Sequence, residues 1–227
     1  SGNFEIREGT FEMLNDLTLT ITNSGTNAFE VEGGGMLNLT PGDKSVIIHG
    51  GMVFQDESQL YNLNNTIYVG GDLRIENNVL YDINMGNVVM DGNSTQYIQD
   101  LDGNTDFFTL IIDKPSGTCY IANADLTTQY VGIDQGTLSC RSSAGSGTTY
   151  DIICAGWSND VGDAGFEEAT GRVIFDGGFM YCSSETFNEL EIDGGLFIDG
   201  ADVVCAAYDW TYGGVAVYSG SSFTAND

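Results

Sequence analysis

Residues 86–92 read GNVVMDG, and the pattern returns at residues 171–177 as GRVIFDG. Each copy places three apolar side chains between a first glycine and an Asp-Gly pair. Short β-branched or aromatic runs that end in Gly or Asp predict β-strands bounded by tight turns. A pattern that returns about 85 residues later indicates a structural repeat, in which mainly inward side chains and corners are kept. The side chains expected to point inward are those of Val88, Met90, Val173 and Phe175.

The same spacing relates other parts of the chain. Val46 corresponds to Val131, and nearly every polar side chain changes between the copies. Copies that share their apolar positions but differ in their polar residues are typical of a structural repeat rather than of a catalytic unit. We therefore expect one continuous domain of about two and a half repeats, approximately residues 1–85, 86–170 and 171–227.

The strand-like runs predict an all-β chain, because no stretch of a dozen residues combines helical periodicity with caps. The length of the sequence period fits two all-β architectures. One is a string of immunoglobulin-like sandwiches of roughly 100 residues each. The other is a parallel β-solenoid (β-helix) with several coils per repeat. The solenoid is favoured, because the runs follow one another through Gly, Asn and Asp corners, with only 2 prolines and no linker between copies.

The coil length can be estimated from two cysteine spacings. The step from Cys119 to Cys140 and the step from Cys182 to Cys205 are each a plausible coil length, so each pair is expected to stack like on like. Coils of ~20 to 24 residues, one strand layer each, give about ten coils for the chain. The five cysteines form no CxxC motif, which argues against a zinc site. Buried free thiols are the favoured interpretation, and one or two disulfides are the alternative.

The charge balance limits the partners of the chain. It has 33 acidic and 6 basic residues, a formal net charge of -27. Such a chain is expected to bind neither nucleic acid nor anionic lipid, since both require clustered Lys or Arg. No apolar run approaches the ~20 residues of a membrane helix, so membrane insertion is not expected. No signal peptide is recognisable, and the strand pattern is already under way at the first residues. We therefore expect an excerpt of a longer or processed polypeptide.

Three stretches carry a family resemblance: residues 149–159 (TYDIICAGWSN), 171–177 and 187–192 (FNELEI). They resemble the repeats of very large secreted surface proteins of Bacteroidota, in which a G-x-W-x-N strand leads to G-T-V-x-F-x-G and then to F-x-N-L-x-I. The resemblance covers most of residues 46–198. It implies a β-helical stalk or adhesin at the cell surface, exported across the outer membrane, usually by the type IX secretion system. The motif positions are structural, so no functional residue is carried over.

Two acidic loops are candidate calcium sites. Hard cations prefer about six to eight oxygen ligands, which alternating Asp, Asn and carbonyl groups in a glycine-bearing loop can supply. Ordinary solvated turns are the favoured interpretation, and calcium binding is the alternative. The candidate ligands are Asp100, Asp102, Asn104 and Asp106 in one loop, and Asp160 and Asp163 in the other.

One aromatic run is a candidate ligand site. Tyr208, Trp210 and Tyr212 alternate, so they share one face of a strand. On an outward face they could stack on sugar rings, and on an inward face they belong to the core, which is the favoured interpretation. No concentrated polar cluster indicates an enzyme.

The sequence therefore predicts a structural stalk or filament segment of an extracellular surface adhesin. Its expected partners are neighbouring repeats or copies joined end to end. The alternative function is a carbohydrate-binding module for surface glycans, possibly assisted by calcium.

Overall fold

The computed structural model describes residues 2–13, 18–39, 44–55, 57–62, 65–76, 80–81, 86–101, 103, 106–210 and 214–226. These residues form a parallel β-solenoid of about nine turns. The solenoid prediction is thus confirmed at close to the expected number of coils, and the alternative of tandem sandwiches is wrong. No helix in the described ranges is long and apolar enough to span a membrane.

The strands are short in the first half of the chain and longer in the second half. The first half contains β1 (Phe4–Ile6), β2 (Thr10–Glu12), β3 (Thr18–Ile21), β4 (Phe29–Val31), β5 (Met36–Asn38), β6 (Ser45–Ile48), β7 (Met52–Phe54), β8 (Gln59–Tyr61), β9 (Thr66–Val69), β10 (Leu73–Ile75), β11 (Leu80–Tyr81), β12 (Asn87–Met90) and β13 (Gln96–Asp100). The second half contains β14 (Asp106–Ala122), β15 (Leu126–Ser139), β16 (Ile152–Asn159), a 3-10 turn (Asp163–Gly165), β17 (Phe166–Glu167), β18 (Arg172–Cys182), β19 (Ser184–Ile192), β20 (Gly195–Asp199), β21 (Asp202–Trp210), β22 (Gly214–Val217) and β23 (Ser222–Ala225).

One parallel ladder runs the length of the described chain, and we call it the first face. It consists of β3, β6, β9, β12, β14, β15, β16, β18, β20 and β22. A second ladder pairs β1, β4, β7, β10 and β13 with the later parts of β14 and β15 and with β17. A four-stranded sheet of β2, β5, β8 and β11 lies on a further side. Chain segments that alternate between these ladders wind around one apolar core.

The core consists of columns in which each inward residue lies on the residue one turn earlier. The inward column of the first face is buried from the second strand to the ninth. It contains Val46, Ile67, Val88, Leu110, Val131, Trp157, Met180 and Ile198. The expectation that Val88, Met90, Val173 and Phe175 point inward is confirmed, since all four are buried.

The sequence period corresponds to four turns of the solenoid. Val46 and Val131 occupy the same inward column, with one residue from each of three intermediate turns between them, and these turns are nearly equal in length. The next turn, from Val131 to Trp157, is longer, because a small antiparallel hairpin pairs Arg141 with Thr149. Because of this insertion, residues 171–177 do not lie in the same columns as residues 86–92: Val88 belongs to the column of Trp157, whereas Val173 pairs with Ile152.

The glycines of the repeated motif are required by the corners. A Cβ atom at Gly92 would collide with the carbonyl oxygen of Gly70 on the preceding turn. Gly177 has a φ of 82°, a left-handed conformation that other residues rarely adopt. It lies in the bulge of β18, between the segment that pairs with β19 and the segment that pairs with β20. The motif therefore encodes a strand together with the bend that follows it.

A buried lysine ties one corner to the turn before it. The Lys114 Nζ donates hydrogen bonds to the carbonyl oxygens of Gly92 and Ser94, at 2.9 and 2.7 Å, and to the Gln96 side chain. The Gln96 Nε2 in turn donates to the Val69 carbonyl at 2.7 Å. Burial lowers the pKa of Lys114, and three hydrogen-bond acceptors offset that penalty.

All five cysteines lie in described segments, are buried and form no disulfide. The interpretation as buried free thiols is therefore confirmed. The expected stacking of like on like is wrong: Cys119 lies beside Leu138, and Cys205 lies beside Phe187. The cysteine spacings approximate one turn, but in neither pair does the second cysteine occupy the position that stacks on the first. Burial raises the pKa of Cys119 and of Cys182 to about 12.

The column packing predicts that Val173→Asp strongly destabilises the protein. Val173 is 1% exposed between Ile152 and Leu190, so the substitution would bury a charge without a partner. We expect a loss on the order of 4 kcal/mol in the free energy of unfolding. Ile174→Asp, on the same strand but facing outward, is the matched control and should lose much less. Equal urea midpoints for the two variants would contradict this register.

Candidate functional site

The predicted calcium loop at residues 100–106 is described only in part. Asp100 is buried, and its Oδ1 accepts a hydrogen bond from the Gly103 N–H at 2.9 Å. Asp102 and Asn104 lie outside the described residues, and so does the side chain of Asp106, whose backbone pairs with Thr127. The one carboxylate whose position is described therefore caps its own turn.

The second calcium candidate lies after β16. Asp160 and Asp163 are exposed, and the Asp163 Oδ1 accepts a hydrogen bond from the Thr186 hydroxyl at 3.3 Å. Within the described ranges, no group of three or more His, Cys, Asp or Glu side chains is arranged to hold a metal ion. A calcium ion at this loop would therefore need other oxygen ligands, such as backbone carbonyls, Asn side chains or water.

The aromatic run at the end of β21 begins on the inner side. Tyr208 is half-buried, stands beside Leu190 of the preceding turn, and packs edge-on against Phe223 with ring centroids 5.3 Å apart. The backbone of Trp210 pairs with Ile192. The side chain of Trp210 and all of Tyr212 lie outside the described residues. Tyr208 therefore packs against the core from a half-buried position, and the interpretation of the run as a whole stays a prediction.

A column of carboxylates follows the first face at the corner where its strands end. Asp91, Asp113, Asp134 and Asp160 each come directly after an inward residue of successive turns. Burial raises the pKa of Asp134, and repulsion from Asp113 and Asp160 raises it further. This corner concentrates the negative charge that the composition predicts.

The single histidine of the chain, His49, is exposed at the same corner and lies two turns before Asp91. His49 and Asp91 line a cleft of about 510 Å³ together with Ser24. Burial raises the pKa of Asp91, and the nearby His49 opposes that shift. His49 is thus an exposed residue of the bend after β6.

Four aromatic rings lie on the outer side of the first face, and we call them the aromatic row: Phe179, Tyr181, Phe197 and Tyr218. Their exposed fractions are 46%, 46%, 37% and 49%, respectively. The centroid distances are 6.0 Å from Phe179 to Tyr181, 5.0 Å from Phe179 to Phe197 and 6.4 Å from Phe197 to Tyr218. The row crosses three successive turns, because Phe197 pairs directly with Phe179 and Tyr218 follows β22.

The aromatic row was not predicted from the sequence, although alternation along two strands contains a signal for it. Phe179 and Tyr181 flank the inward Met180, and Phe197 lies between the inward Leu196 and Ile198. Alternation alone does not say which of the two sets faces the core, since a shift of one residue exchanges them. The ladder register decides the matter by placing Met180 on Trp157.

A polar cleft adjoins the aromatic row. It has a volume of about 400 Å³, and its lining includes Tyr181, Asp160, Ser183 and Asp199. Tyr181 belongs to both features, and it pairs across the turn with Asp199. The outer surface of β18 and β20 thus combines stacked rings with hydrogen-bond acceptors.

Trp157 and Asn159 on β16 meet a buried glutamate. The Trp157 Nε1 and the Asn159 Nδ2 both donate to the Glu185 Oε2, at 2.9 and 2.8 Å. The Glu185 Oε1 has no hydrogen-bond partner among the described residues, and Glu185 is 1% exposed. Burial raises the pKa of Glu185 to about 7. These contacts join β16 to β19 inside the solenoid.

Comparison with protein-family models, curated proteins and solved structures found no significant match.

The calcium prediction for the loop at residues 100–106 is tested by thermal unfolding. An ion that binds only the folded chain raises its stability, so calcium binding at this loop would give a higher Tm in millimolar calcium than in chelator. Asp102→Asn should abolish this difference, and Asp163→Asn should leave it if only the first loop binds. Identical melting curves of the unaltered chain with calcium and with chelator would show the prediction to be wrong.

The buried glutamate predicts that stability depends on pH. The pKa of Glu185 is raised from 4.5 in the unfolded chain to about 7 in the fold. Its contribution is therefore fully present below about pH 4.5 and is lost as the pH rises through 7. Glu185→Gln is neutral at every pH and keeps an oxygen acceptor for Trp157 and Asn159. At pH 8 we expect this variant to be about 2–3 kcal/mol more stable than the unaltered chain.

The comparison variant for this substitution is Glu168→Gln. Burial also raises the pKa of Glu168 to about 7, and repulsion from Glu185 adds to that shift, so the double variant is needed to separate the two contributions. Urea unfolding at pH 5, 6.5 and 8 measures both contributions. A Glu185→Gln variant that retains the full slope of the unaltered chain would contradict the prediction.

Proposed function

We propose that this chain is a structural stalk segment of an extracellular surface protein. The observation that carries the proposal is the unbroken parallel ladder of the first face, with one continuous apolar column beneath it. Its backbone hydrogen bonds run along the solenoid axis, so each turn is held to the next by a row of bonds. Such a fold resists bending and transmits load along one direction.

The charge supports the same function. A net charge of -27 on 227 residues makes neighbouring rods repel one another sideways. Strand pairing along the axis acts at short range and is unaffected by that repulsion. Neighbouring repeats or copies joined end to end are therefore the partners that we propose.

The extracellular location rests on the motif resemblance of residues 149–192 alone. Carbohydrate binding, the alternative function expected from the sequence, is compatible with a stalk, because it would use an outward face and leave the stacked core unchanged.

A spacer should tolerate a change of length in whole turns. Residues 46–130 comprise four turns that begin and end at the same column position, since Val46 and Val131 are equivalent. Duplicating this block should lengthen the rod by about 19 Å, at ~4.8 Å per turn, with no change in cross-section. Small-angle X-ray scattering measures both dimensions.

The control is a duplication of residues 46–131, which is one residue longer than four turns, so that inward and outward positions are exchanged in the strand after the junction. We expect this variant to misfold or aggregate. A 46–130 duplication that fails to fold, or that does not lengthen the particle, would argue against a spacer. Electron microscopy of the parent surface protein provides the second test, because an isolated head in place of a continuous rod would overturn the proposal.

A further inference from the structure

We propose that the aromatic row and the adjoining polar cleft bind a neutral, extended polysaccharide. This inference goes beyond the stalk function, because it assigns a ligand to one outward surface of the rod. It stands on three observations: four contiguous exposed rings, a cleft with carboxylates beside them, and the surrounding negative charge.

The rings form a single apolar surface whose arrangement is fixed before any ligand arrives. Phe179 is parallel to Tyr181 within 11° and to Phe197 within 25°. Mutual stacking restricts the side chains, so little rotamer entropy remains to be lost on binding. Scattered exposed hydrophobic residues are ordinary, whereas a contiguous patch indicates an interaction surface. The C–H faces of sugar rings are flat and apolar enough to pack on such rings.

The cleft supplies the hydrogen bonds that sugars also require. The exposed carboxylates of Asp160 and Asp199 accept hydrogen bonds and donate none, and Ser183 carries a hydroxyl. Each sugar hydroxyl can donate a hydrogen bond, so a sugar matches a rim that is rich in acceptors. Rings next to a few placed polar groups are the usual composition of a small-molecule site.

The charge around the row selects among possible occupants. Asp176, Asp193 and Asp199 are exposed on the same strands and turns. An anionic glycan would be repelled by them, and so would a second copy of a chain that carries a net charge of -27. A neutral polysaccharide suffers no such repulsion.

The direction of the row indicates a polymer rather than a single sugar. The row crosses the strands of three turns, which span roughly 10 Å along the axis, and the cleft continues beside Tyr181 and Asp199. One turn before Phe179, the column carries Gly156, and the ring of Tyr130 lies against it. The apolar surface thus continues toward the preceding turns, where further sugar units of a chain could lie.

Native affinity electrophoresis tests the proposal. The gels contain hydroxyethyl cellulose, xylan, galactomannan or a soluble β-1,3-glucan as neutral probes, and alginate as the anionic probe. We expect at least one neutral polysaccharide to retard the unaltered chain, and alginate not to. The retardation should be the same in low and in high salt, because a neutral ligand has no charge to screen.

The decisive variant is Phe179→Ala/Phe197→Ala, which removes the centre of the row. We expect its dissociation constant to be at least tenfold weaker. Tyr97→Ala is the matched control, since Tyr97 stacks on Tyr120 on the second ladder and lies outside the row; it should bind as the unaltered chain does. If the double variant does not fold, Tyr218→Ala at the exposed end of the row decides, with an expected loss of at least threefold.

Several results would overturn the proposal. One is a lack of retardation by all four neutral polysaccharides, and another is retardation by alginate alone. Equal losses in the double variant and in Tyr97→Ala would remove the assignment to the row. A dimer in sedimentation velocity that the double variant abolishes would make a second copy the occupant instead. The scattering test of the stalk is independent of each of these results.

Discussion

The axial backbone hydrogen bond is the interaction on which the rest of this structure depends. Once a strand pairs in parallel with the strand one turn earlier, every side chain is stacked on a fixed neighbour. Inward positions then form columns, and each column tolerates only residues that fit above and below. The four nearly equal turns between Val46 and Val131 follow from this constraint. So does the need for glycine where the chain bends closely over the previous corner.

The polar residues inside the solenoid satisfy the same constraint in a different way. Lys114 and Glu185 are buried in the stack, and each joins segments of different turns through several hydrogen bonds. Breaking such a bond leaves a buried polar group without a partner. The free-energy cost of that unpaired group is larger than the free energy that the bond contributes to stability. These residues therefore specify which turn stacks on which. An apolar column alone would fix this less strictly, because one aliphatic neighbour resembles another.

The sequence was sufficient for the fold and insufficient for the surface. Short apolar runs that return with the same spacing, such as residues 86–92 and 171–177, predicted strands, corners and inward side chains correctly. The cysteine spacings misled, because turns differ in length: the step from Val173 to Leu190 is short, and the step from Val131 to Trp157 is long. The aromatic row was missed for a related reason, since its members come from strands of different turns and meet only when the register is known. Glu185 was missed because nothing in its local sequence marks it as buried.

The five thiols give this chain a property that its disulfide-free core does not suggest at first sight. Four of them lie on β14, β16, β18 and β21, and Cys140 lies in the bend directly after β15. With pKa values as high as about 12 for Cys119 and Cys182, they are protonated at neutral pH and shielded from alkylating reagents. Cys182 lines the cleft beside the aromatic row, whereas labelling at Cys119, Cys140, Cys154 or Cys205, which are at most 1% exposed, requires that its own part of the rod open. The cysteines act as built-in reporters of local opening, and their rates of modification would map the mechanical weak points of the rod turn by turn.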